Sequence, residues 1–178
     1  MARITQKILV DSVRRIATMD VPAKLKLVDE MFREQPNMLA SVLVQKQLGV
    51  SEQKMDFLVQ LILVMFVAMR ESGIDWPCIS VDEQDRQMNK TAGMASFTQG
   101  LAPELLSRVA DFHLKDHPEK VLLAYVVGNI SEWIQKIEVE ESDKYIIISA
   151  INTVNCLAYC ALPPGGSKRT INRARPLN

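Results

Sequence analysis

The sequence predicts an all-α fold: a single-domain bundle of seven or eight helices around a central buried helix at about residues 51–72. Three observations lead there. Apolar residues recur at helical spacing almost throughout the 178 residues. Glycine (7) and proline (8) are too sparse for a loop-rich β fold. Apolar residues make up 48% of the chain, enough to build a real core at this length.

The elements follow in order. Ile4, Ile8, Val13 and Ile16 share a face, which predicts a helix at about 3–19. Asp20-Val21-Pro22 breaks it, and Pro22 suits the first turn of a second helix at about 22–34. Its expected inward stripe is Leu25, Val28, Met31 and Phe32. Pro36 ends that helix, because a residue before proline is pushed out of the α region. A third helix, about 37–47, carries Met38, Leu39, Val42 and Leu43, with Gly49 as its C-terminal cap. Ser51 then caps the helix that contains Phe57–Met69, where Gln60 is the only polar residue. Thirteen residues bounded by Asp56 and Arg70 fall short of the roughly 20 that a bilayer span needs. A short helix that is apolar all round belongs in a core, and Gly73 stops it.

A turn follows at "GIDWPCIS". Val81, Met88, Ala92 and Ala95 form a narrow stripe on a polar helix at about 81–98. Leu105, Leu106, Val109 and Phe112 predict another at about 103–115. The helix at about 118–136 contains Gly128, read as a kink or a close helix crossing. Asp116 and Glu119 have the spacing of a capping box at its start. Ser142 is the expected cap of a last helix at about 143–161. "YIIIS" has strand-like composition, but residues 145–162 contain no Gly or Pro and run too long for a strand. The domain is expected to cover 1–162, with 163–178 a basic, flexible tail.

Composition excludes several functions. Basic and acidic residues balance at 21 each, which opposes a dedicated nucleic-acid binder. Residues 1–164 carry 17 basic against 21 acidic residues, a net of −4; the excess of base sits in the tail as Lys168, Arg169, Arg173 and Arg175. Three cysteines, and a first segment without an uninterrupted apolar run, predict a reducing, cytoplasmic setting and no membrane association.

Catalytic signatures are absent. His113 and His117 stand four apart, but Leu114 replaces the glutamate of the zinc-protease pattern and Pro118 follows directly. They read as surface or capping histidines. There is no nucleophile elbow and no dinucleotide or phosphate-loop fingerprint. Neither a metal nor another cofactor is expected. Ser149, Thr153, Cys156 and Cys160 line one face of the last helix, flanked by Asn152 and Asn155. The stripe reads as close helix packing with thiols acting as small apolar groups. Cys78, in the turn, is the more accessible thiol.

Three functional expectations remain. The first is a non-enzymatic protein-protein interaction module that binds another protein or a second copy of itself. The second is a small-ligand-binding domain, catalytic in one version, with a cavity lined by Ser149, Asn152, Thr153 and Cys156. The third is a nucleic-acid-associated protein acting through the four tail cations, which could equally contact a protein partner or phosphate.

Overall fold

The computed structural model describes residues 2–98 and 115–160. The tail cations, His113 and nearly all of the helix expected at 103–115 lie outside these residues. Seven helices pack together, and no strand occurs among the described residues. They are α1 (Gln6–Thr18), α2 (Val21–Glu34), α3 (Pro36–Gln47), α4 (Glu52–Glu71), α5 (Val81–Thr98), α6 (Lys120–Ile134) and α7 (Asp143–Tyr159).

Local chemistry sets most boundaries. Thr5 opens α1 by accepting the Ile8 N–H at 3.3 Å, and Asp20 opens α2 by accepting that of Ala23 at 2.9 Å. Ser51 caps α4 through the Lys54 N–H. Gly49 and Gly73, after α3 and α4, sit at φ +86° and +67°, where a Cβ would be strained.

The central helix is α4. Every residue from Leu61 to Met69 is buried, and α1, α2, α3 and α7 all pack against it. Its first turns are different: Phe57 is half-buried and stacks on Trp133 of α6 with ring centres 4.6 Å apart. No helix among the described residues is long and apolar enough to cross a membrane. A second hub is α7, which packs against α3, α4, α5 and α6 and buries eleven of its 17 residues.

Several sequence expectations need correction. On α2 the buried residues are Leu27 and Met31, while Leu25 and Phe32 are each 62% exposed. The predicted stripe spans an arc of about 120° at 100° per residue. The core takes one flank of that arc and leaves the other to solvent. Leu43 on α3 and Val81 on α5 also face outward. Gly128 marks no crossing: a Cβ added there meets nothing within 4 Å. The capping box is absent, and Ser142 holds the N-cap position of α7 without a side-chain hydrogen bond. Glu119 caps nothing with its side chain, and Asp143 Oδ2 accepts the Glu140 N–H at 2.8 Å in the turn before α7. Lys54 of α4 reaches that same oxygen at 2.9 Å. Burial works against its ammonium, but the hydrogen bonds to Asp143 and Glu140 outweigh that and hold its pKa above the ordinary value.

Candidate functional site

The expected cavity residues of α7 face neighbouring helices. The Ser149 hydroxyl donates to the Ser41 carbonyl of α3 at 3.4 Å, and Asn152 Nδ2 donates to the Gln84 carbonyl of α5 at 3.1 Å. Thr153 donates back to the Ser149 carbonyl at 2.9 Å, and Cys156 is 1% exposed. Burial pushes the Cys156 thiol up to about 12, which keeps it protonated and unreactive. The clefts described below lie away from all four residues. Cys78 is exposed.

Two features remain as candidates. The first is a buried polar clasp. Glu119, fully buried just before α6, accepts from the Arg3 N–H, Arg3 Nε and the Ile4 N–H at 3.0, 3.1 and 3.1 Å. Arg3 lies over the Trp76 ring at 4.9 Å and also donates from Nη2 to the Ala158 carbonyl at the end of α7. His117 is buried, not a surface residue. Its Nδ1 accepts the Glu119 N–H at 3.2 Å, so its proton sits on Nε2, which donates to Asn155 Oδ1 at 3.1 Å. Asn155 Nδ2 donates to Thr91 Oγ1 of α5 at 3.1 Å. The clasp joins the segment before α1 to α5, α6 and α7. Both oxygens of Glu119 are committed to backbone and guanidinium donors, as a buried carboxylate requires. Burial raises the Cys160 thiol beside Arg3 as well. Its chemistry is that of a structural fastening.

The second feature is an open groove between α1 and α6, with a volume of about 880 Å³. Leu9, Val10, Val13, Val121, Ala124 and Tyr125 form its walls and floor, and Gln6, Arg14, Lys115 and Lys120 form its rim. Among the described residues no acidic one lines it. A smaller cleft of about 180 Å³ continues from Val13 and Tyr125 onto Ala17, Asn129 and the Phe57–Val64 stretch of α4. Low α1 numbers share the groove with low α6 numbers, and high with high, so the two helices run in the same direction. From Gln6 to Ala17 the groove and cleft together span about 16 Å at 1.5 Å per residue, and their apolar part on α1, Leu9 to Ala17, about 12 Å. A separate mixed-charge cleft of about 540 Å³ lies at Lys54, Trp133 and Glu138.

The groove was not legible in the sequence. Each of its residues is an ordinary member of an amphipathic helix, and its concavity exists only once α1 and α6 lie parallel. Among the described residues no group of three or more His, Cys, Asp or Glu is placed to hold a metal ion. No family model matches the chain, and no curated protein or solved structure matches it at significance.

Proposed function

We propose that this chain is a non-enzymatic protein-interaction module whose docking surface is the groove between α1 and α6. The groove itself carries the reading. A groove with an apolar track of little more than two turns, open along one side and bordered by polar and cationic side chains, has the dimensions that accept the apolar face of an amphipathic helix. Val10 is 40% exposed in its wall, and Ala124 opposite is exposed too. Large apolar groups left to water in a concave strip favour a partner that covers them.

A photo-crosslinking amino acid at position 10 tests this in the organism that makes the protein. The expected result is one discrete adduct, lost when Ala124→Glu is added. The same probe at Glu141, on an exposed turn, should not produce that adduct. No adduct at position 10, or the same pattern at both positions, would reject the groove as a docking surface.

A further inference from the structure

We infer that the occupant of the groove is the outer face of α2 from a second copy of this chain, seated head to tail. This rests on the groove being a docking surface, and it names the partner. On α2, Val21, Leu25 and Phe32 are 69%, 62% and 62% exposed, and with half-buried Val28 they form a stripe at i, i+4, i+7 and i+11. That spacing keeps them on one helix face. The ridge covers eleven residue steps, about 16 Å, the length of the groove and its adjoining cleft from Gln6 to Ala17. It packs against neither wall of its own groove: α2 lies on α3 and α4, and the ridge shares no residue with the groove.

Charge fixes the register. Asp20 stands at the head of the ridge and Asp29 on its flank, both exposed and nine residues apart, about 13 Å. Lys24, the cation nearest Asp20, is turned toward its own α4, where it hydrogen-bonds Gln60 at 3.3 Å, and exposed Lys26 and Arg33 lie beyond Asp29 on the side away from the ridge. Along the groove, Lys115 and Lys120 lie at the Gln6 end, and Arg14 stands eight residues further along α1, about 12 Å. An α2 ridge laid parallel to α1 places Asp20 at the two lysines and Asp29 at Arg14. Phe32 then reaches the far cleft lined by Phe57, Leu61 and Val64. Reversed, the aspartates lose that match.

Ridge and groove are different surfaces, so the contact is heterologous and propagates into a ring or a growing chain. Light scattering from micromolar to submillimolar protein should show mass rising above one chain. Leu25→Glu spoils the ridge and Val10→Glu spoils the groove, and each alone should weaken association at least about tenfold, since either one buries a carboxylate in an apolar contact. Mixed one to one, the two variants should recover a dimer and nothing larger, because the mixture retains one intact ridge and one intact groove. Phe32→Ser with Ala124→Glu is the second pair, and circular dichroism confirms that each variant is folded. Wild type that stays a single chain overturns the second-copy occupant. The position-10 crosslinker then decides the docking surface separately: a foreign adduct keeps it, and none removes it. Variants that lose association without recovering it on mixing overturn the head-to-tail contact, and so does Val10→Glu that still associates while Leu25→Glu does not, which is the pattern of ridge-on-ridge pairing.

Discussion

At the scale of single residues, Glu119 does more than any other polar group described. It takes up two backbone N–H groups and a guanidinium in a place water does not reach. Truncating it leaves the buried Ile4 N–H and the half-buried Arg3 N–H and Nε–H without that acceptor. Breaking a buried ion pair from one side costs roughly 3–5 kcal/mol. Glu119→Ala should therefore lower the melting temperature steeply, while truncating exposed Glu132 should barely move it. Equal melting points for the two variants would mean that the clasp is not a fastening. None of this was visible in the sequence. The segments around Arg3, Trp76, His117–Glu119 and Asn155–Ala158 are far apart in the chain, and His117 reads there as a surface or capping group. Glu119 was misread because its distance from Asp116 fits a capping box. The buried reading needed the segment before α1 to be seen lying across it.

At the scale of elements, the periodicity of the sequence located the helices well, and it located burial well only where a helix is surrounded. Leu61–Met69 is apolar on every side, so no choice of face arises and the core assignment is forced. On α2 the apolar arc was broad, and which flank turned inward depended on where α3 and α4 stood. Gly128 is a further case. The sequence marks it as a helix-interior glycine, and only the structure shows that no neighbour approaches. Alanine adds helix propensity there with space to spare, so Gly128→Ala should stabilise the protein by about 0.5–1 kcal/mol in a denaturant titration. A loss of stability would mean that a neighbour does close on α6 at that point.

At the scale of the whole molecule, ion pairs tie the outer helices to α4. Arg15 of α1 meets Glu71, and Arg70 meets Glu30 of α2. The hydrogen bond from Arg70 holds the Glu30 carboxyl below its ordinary value of 4.5. A carboxylate with a depressed folded pKa adds stability above its unfolded pKa and loses it as pH falls through the folded one. Glu30→Gln should therefore cost stability near neutral pH and little in strong acid, so the two melting curves should converge as pH drops below about 4. Curves that stay parallel to the lowest pH would remove this pair from the acid response. The Arg3 clasp has its own consequence at this scale, one that concerns time. Arg3 and Glu119 are 116 residues apart, and the Ala158 carbonyl comes later still. During synthesis at roughly 5–20 residues per second, Arg3 is made on the order of ten seconds before its carboxylate partner exists. The first helices must wait with their leading segment unfastened until α6 and α7 arrive, so the bundle is sealed by its last-made parts.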